Sequence, residues 1–136
     1  MKFSISFPLL RVFTGLVGAV ALAGLFATAT ASAAEVSIPI IVKDTTSFYW
    51  QVVFAGARKA GKDLGVKVPE QGAQSESDIN GQISILENAV SENPAAIVIA
   101  PTQFKALGKP IDEAAKKVKI IGIDSAADSN MPSSHS

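Results

Sequence analysis

Ile38 to Trp50 reads Ile-Pro-Ile-Ile-Val-Lys-Asp-Thr-Thr-Ser-Phe-Tyr-Trp. An apolar, β-branched run gives way to a polar segment and ends on three aromatics. A short apolar run bounded by turn residues is a strand buried on both faces. A polar loop at the carboxyl end of such a strand is where open α/β sheets hold ligands. Here Lys43 and Asp44 bring charge, Thr45 to Ser47 bring hydroxyls, and Tyr49 and Trp50 bring flat apolar faces. That mixture suits a ligand with both hydroxyl and C–H surface, such as a sugar.

Working outward, the pattern repeats. The first strand spans Ser37 to Val42. A helix follows with Trp50, Val53, Phe54, Ala57 and Leu64 on one face, Ser47 as its N-cap and Gly65 as its left-handed stop. A second strand covers Val66 to Glu70, and Pro69 consigns it to a sheet edge because proline donates no ladder hydrogen bond. Gln71 to Gln74 form a loop. Ser75 to Asp78 have the form of a capping box ahead of a helix carrying Ile79, Ile83, Leu86 and Val90, which Asn93-Pro94 ends. Asp78 and Gln82 read as a helix-start residue and a surface residue.

The third strand runs from Ala95 to Ala100. A third helix carries Phe104, Leu107, Ile111, Ala114 and Ala115, with Pro110 either opening it or bending it. The fourth strand is Val118 to Ile123, closing on Asp124-Ser125. Strand and helix in alternation specify an α/β fold, a three-layer doubly wound parallel sheet. The edge position of the second strand sets the order 2-1-3-4. The loops after Val42, Ala100 and Ile123 then rim one crevice at the switch point.

Both ends depart from this pattern. Lys2 and Arg11 are the only charges before Glu35, Val12 to Ala29 are apolar or small, and Ala31-Ser32-Ala33 closes the run. Residues 1–33 thus read as a secretory signal peptide cleaved after Ala33, or else after Ala34. The alternative is an uncleaved membrane anchor, since the run approaches spanning length. At the other end, residues 131–136 form an irregular tail with no helix to cover the fourth strand. That leaves an exposed edge and reads as a truncation of the lobe at 34–130.

The whole chain has 12 basic and 12 acidic residues and no cysteine. Loss of Lys2 and Arg11 with the signal leaves ten against twelve, a net charge of about −2. No basic patch invites nucleic acid, no disulfide framework exists, and no Gly-rich loop follows the first strand to cradle a nucleotide. Neither cofactor nor metal is expected, and His135, the only histidine, stands in the tail.

Four ordered stretches carry a family resemblance: Ile41 to Thr45 with Phe48 to Trp50; Gly56-Ala57 to Leu64-Gly65-Val66; Ser75 to Asn88 with Asp78, Gln82 and Leu86-Glu87-Asn88; and Ile97 to Thr102 with Ile121 to Ser125. Together they resemble the amino-terminal lobe of periplasmic sugar-binding proteins of the ribose and allose type, the solute receptors of ABC importers. The resemblance implies a two-lobe protein that closes on a monosaccharide and delivers it, as a monomer, to an inner-membrane permease. It implies a ligand-binding set of Lys43, Tyr49, Trp50, Asp124 and Ser125. Lys43 donates to sugar hydroxyls, the two aromatics stack on the ring, and Asp124 accepts from two hydroxyls. Ser125 stands where ribose receptors carry arginine, which counts against ribose. Ser47-Phe48 replaces the usual Asn-Pro, and Gln103 a common aspartate.

Two other classes compete. A secreted carbohydrate-acting enzyme would use Asp44 and Asp124 as paired carboxylates, but no nucleophile motif such as Gly-x-Ser-x-Gly accompanies them. The effector domain of a lac-repressor-type regulator shares the fold, but it needs a helix-turn-helix and no export signal.

Overall fold

The structure, a computed structural model, describes residues 35–130 and Pro132. The expected signal peptide, Met131 and residues 133–136, including His135, lie outside them. The elements are β1 (Ile40–Val42), α1 (Phe48–Leu64), β2 (Glu70–Gly72), α2 (Ile79–Ser91), β3 (Ala96–Ile99), α3 (Phe104–Ala115) and β4 (Lys119–Gly122). All pairings are parallel and the strand order is β2-β1-β3-β4, as the chain order and Pro69 require.

The two faces of the sheet separate cleanly by the two-residue period of its strands. Ile41, Ile97, Ile99 and Ile120 point to one side, where Leu86 of α2 and Leu107 and Ile111 of α3 close over them. Ile40, Val42 and Ala100 point to the other, where Trp50 and Phe54 of α1 pack. Each fully buried aliphatic or aromatic side chain contributes roughly 1.5–3 kcal/mol.

Proline explains why two strands are shorter than expected. The Val66–Pro69 segment does run beside β1: Ile38 N–H donates to the Lys67 carbonyl and Ile40 N–H to that of Pro69, each at 2.9 Å. Pro69 and Pro39 have no N–H to return. The ladder therefore reduces to an isolated Ser37–Lys67 bridge and resumes as a regular strand only at Ile40 and Glu70. The second strand is Glu70–Gly72 rather than Val66–Glu70, and part of the expected loop belongs to it.

The helix ends show three further corrections. Ser47 occupies the N-cap of α1 but its side chain makes no cap hydrogen bond. No capping box forms at Ser75: Asp78 caps α2 by accepting from Gly81 N–H at 2.9 Å, while the Ser75 and Ser77 hydroxyls bond to each other. The third helix starts at Phe104, with Gln103 Oε1 accepting from Ala106 N–H at 2.6 Å, and runs on through Pro110. Gly65 does end α1 in the left-handed region, at φ 65°. Gly61 lets that helix approach the chain closely, since a Cβ there would lie 2.7 Å from the Val66 carbonyl oxygen. Leu64, expected on the buried face, is 76% exposed, because the stripe passes beyond the sheet at the last turn.

The segment after β4 does more than trail away. Asp128 N–H donates to the Phe104 carbonyl at 2.9 Å, Asn130 N–H to the Asp112 carboxylate at 3.1 Å, and Gly122 N–H of β4 to the Pro132 carbonyl at 3.0 Å. Ala127 is buried against the α2–α3 side of the core. The edge of β4 is thus partly occupied, while Val98, Ile121 and Ile123 on the α1 side remain half-buried.

Candidate functional site

The carboxyl ends of β1, β3 and β4 bring together residues 81 positions apart in the chain. Lys43 directly follows β1, and Asp124 stands two residues after β4. Lys43 Nζ lies 2.7 Å from Asp124 Oδ2, in a pair whose side chains are 18% and 26% exposed. Tyr49, in the first turn of α1, donates its phenol to Asp124 Oδ1 at 3.1 Å. The Lys43 ammonium also stands 5.9 Å from the Trp50 ring centroid, within cation–π range. Asp124 adopts φ 61°, a left-handed conformation that aspartate tolerates better than most residues. Strained backbone of this kind concentrates at ligand sites.

The electrostatics follow from these contacts. The hydrogen bond from Lys43 outweighs burial and, with help from Tyr49 and Ser125, holds the Asp124 carboxyl below its ordinary value. The same carboxylate, as hydrogen-bond acceptor and as a charge, pushes the Tyr49 phenol up. Asp124 is therefore an ionised acceptor at neutral pH, facing a cation and a phenol.

The sequence-predicted set divides between crevice and core. Lys43, Tyr49 and Asp124 converge and reach solvent. Trp50 is 2% exposed: its ring lies on the sheet-facing stripe of α1 and meets Tyr49 edge-on at a centroid distance of 4.8 Å. Little of the ring reaches solvent beneath the Lys43 ammonium, and its indole N–H turns toward Glu76 Oε1 at 3.4 Å. The exposed aromatics beside the cluster are Tyr49 and Phe48, at 57% and 84%. Ser125 donates its hydroxyl to the Pro101 carbonyl at 2.8 Å and so ties the β4 loop to the β3 loop.

Asp44 is a structural residue, as a turn or cap reading implies. It is 5% exposed, and its Oδ1 accepts from Thr46 N–H at 2.8 Å, Thr46 Oγ1 at 2.9 Å and Ser47 N–H at 2.7 Å. Burial pushes its carboxyl up, but these hydrogen bonds pull it further down, to a net value below the ordinary one. Gln82 is a correction. The sequence places it on the surface, yet it is fully buried, bonded to the carboxyl ends of β1 and β3.

The site is one open wall. Two concavities among the described residues lie elsewhere, along α3. No group of three or more metal-ligating side chains occurs among the described residues, and no described helix is long and apolar enough to cross a membrane.

A doubly wound parallel sheet with a charged cluster at the carboxyl ends of its strands defines an α/β module of the class that places ligands at a switch point. The sequence model of the periplasmic binding protein domain matches residues 38–135, and the chain belongs to that family. A carbohydrate transporter solute binding protein from Agrobacterium radiobacter, solved in complex with D-arabinose, is 82% identical over 73% of this chain, with a TM-score of 0.71. An arabinose binding protein from Geobacillus stearothermophilus is 27% identical over 71% of the chain, with a TM-score of 0.67. An ABC transporter solute binding protein from Agrobacterium vitis with bound D-fucose is 34% identical over 67%, with a TM-score of 0.62. The chain spans about a third of each: 34%, 34% and 32% of their lengths. No curated protein matches it.

Proposed function

We propose that this chain is the amino-terminal, sugar-contacting lobe of a solute-binding protein that captures a monosaccharide in the periplasm for an ABC importer. The observation that carries this reading is the Lys43–Asp124–Tyr49 cluster at the switch point. It offers an ammonium, an ionised carboxylate and an exposed ring in one place. A carboxylate accepts from two sugar hydroxyls, an ammonium donates to others, and a ring packs on C–H surface. D-Arabinose, bound by the 82%-identical relative, is the sugar to try first. Tyr49 supplies the flat face, and Trp50 supports it from the core. Residues 1–33 direct export and are removed. The partner is a permease of the inner membrane, and the lobe works as a monomer without nucleic acid.

The enzyme reading is disfavoured by the charges. A glycosidase pair needs one carboxyl kept protonated, with its pKa raised, to act as acid. Asp44 and Asp124 both lie below the ordinary value, so neither has a proton to give at neutral pH.

The test is a titration of the chain with D-arabinose followed by NMR. One wall of a cleft leaves much of a sugar in water, so the expected dissociation constant is about a millimolar or weaker, with shifts concentrated at Lys43, Tyr49 and Asp124. Saturating sugar that moves none of these three positions refutes the reading. Submillimolar binding refutes the one-wall argument.

A further inference from the structure

We infer that Gln82 is the positioning residue of this site, holding the loops that carry Lys43 and Asp124 at their working separation from inside the core. It rests on the sugar-lobe reading for the use of the site, though not for its geometry. Gln82 is 0% exposed in the middle of an apolar layer. A buried amide is costly unless each of its polar atoms is bonded. Both of its donors and its acceptor are used, and all three partners lie at strand ends. Nε2 donates to the Val42 carbonyl at 3.1 Å and to the Ala100 carbonyl at 2.8 Å. Oε1 accepts from Thr102 N–H at 2.9 Å.

These partners are not ordinary ladder positions. Val42 is the last residue of β1, and its successor is Lys43. Ala100 and Thr102 flank Pro101, whose carbonyl receives the Ser125 hydroxyl next to Asp124 at 2.8 Å. One side chain therefore brackets the β1 exit and the β3 exit, and the β3 exit in turn holds the β4 exit. Parallel strands splay where their ladder ends, because the last carbonyls lack strand partners. Gln82 supplies those partners on the α2 side. The charged pair across the crevice is the direct beneficiary, since each of its members is one residue away from a bracketed or tied position.

A packing role alone makes a different prediction. Leu86 lies one turn further along the same helix, is equally buried, and belongs to the same core. Gln82→Met keeps most of the volume and removes all three hydrogen bonds. Leu86→Ala removes volume and no hydrogen bond. The readout is the titration midpoint of the Asp124 carboxyl, followed by carbon NMR in the chain without sugar.

The expected result is a rise of that midpoint in Gln82→Met toward the ordinary aspartate value, as Lys43 draws away, and an unchanged midpoint in Leu86→Ala. An unchanged midpoint in folded Gln82→Met overturns the inference. So does an equal rise in both variants, which makes the effect one of general loosening. Where Gln82→Met does not fold, Gln82→Asn, polar but one methylene too short to span both exits, is read in the same way. In the unmodified chain, scalar couplings across the hydrogen bonds from the Gln82 amide to the Val42 and Ala100 carbonyls must be present, and their absence overturns the inference whatever the variants do. No sugar enters these measurements. Failure to bind D-arabinose leaves the positioning role standing, and an unmoved midpoint leaves the sugar reading standing.

Discussion

Replacing Asp44 by alanine tests the loop that joins β1 to α1 and presents Tyr49. Its Oδ1 takes three hydrogen bonds, two from the backbone N–H groups of Thr46 and Ser47, which would otherwise lack partners at the helix start. Loss of an N-cap side chain costs about 0.5–2 kcal/mol, and hydrogen bonds to a charged group are worth roughly 1.5–3 kcal/mol. Thr45 and Ser47 are only partly buried and Thr46 is exposed, so water takes over some of the lost bonds, and the expected cost is about 2 kcal/mol. For a domain near 100 residues that lowers the melting temperature by roughly 8–16 °C. Asp44→Asn keeps an acceptor without the charge and loses about half as much. The sign with pH is fixed by the lowered carboxyl. The charge-dependent part of its stabilisation is complete above the unfolded-state value of about 3.9 and is lost as pH falls through the lower folded-state value. The stability gap between the wild type and Asp44→Ala must therefore narrow on acidification below about pH 4, toward the half that a neutral acceptor keeps. Trp50, the chain's only tryptophan and buried beside this loop, reports unfolding by fluorescence in urea. A gap under about 0.5 kcal/mol at neutral pH, or one that persists unchanged at acid pH, refutes the account.

Other outcomes follow from the same contacts. Tyr49 is the only tyrosine, so its phenolate absorbance can be titrated alone: Asp124→Asn lowers its midpoint and Lys43→Met raises it, because the carboxylate lifts the phenol and the ammonium opposes that lift. Gly56→Ala, in open space on α1, stabilises by about 0.5–1 kcal/mol in chemical denaturation. Gly61→Ala, on the same helix, drives a Cβ to 2.6 Å from Val68 Cγ2 and 2.7 Å from a carbonyl oxygen, and destabilises by about 1–3 kcal/mol. Leu86→Ala, from a fully buried position, costs about 2–5 kcal/mol.

The sheet was legible because its signals are redundant. Apolar runs at Ile40–Val42 and Ala96–Ile99, helical stripes between them and a proline just ahead of the second strand all point to the observed order β2-β1-β3-β4. What failed to show were features set by tertiary contact. Gln82 sits three residues after Ile79 and four before Leu86, on the buried stripe. Its polar identity hides a position that its spacing gives away. Trp50 obeys its stripe so fully that its ring is almost wholly buried, beneath the Lys43 ammonium. Ser47 looks like the cap of α1, but Asp44, three residues earlier, already accepts the Ser47 and Thr46 N–H groups. The Lys43–Asp124 pair joins the ends of two strands, and only the sheet order brings them together.

On the proposed sugar-lobe reading, a sugar must enter a site whose charges already satisfy one another. Asp124 spends one oxygen on Lys43 and the other on Tyr49. An ionised carboxylate has about four acceptor positions and an ammonium three donors. The contacts present use two of the first and one of the second. Two sugar hydroxyls can therefore bond to Asp124, and others to Lys43, without breaking the pair. Binding should leave the Asp124 carboxyl ionised rather than exchange Lys43 for sugar. The internal pair then holds both groups in place before the ligand arrives, and less ordering cost falls on binding. The limit is coverage. Every contact comes from one side, so the far face of the sugar keeps its water until a second surface closes over it, and strong binding by this wall alone is not expected.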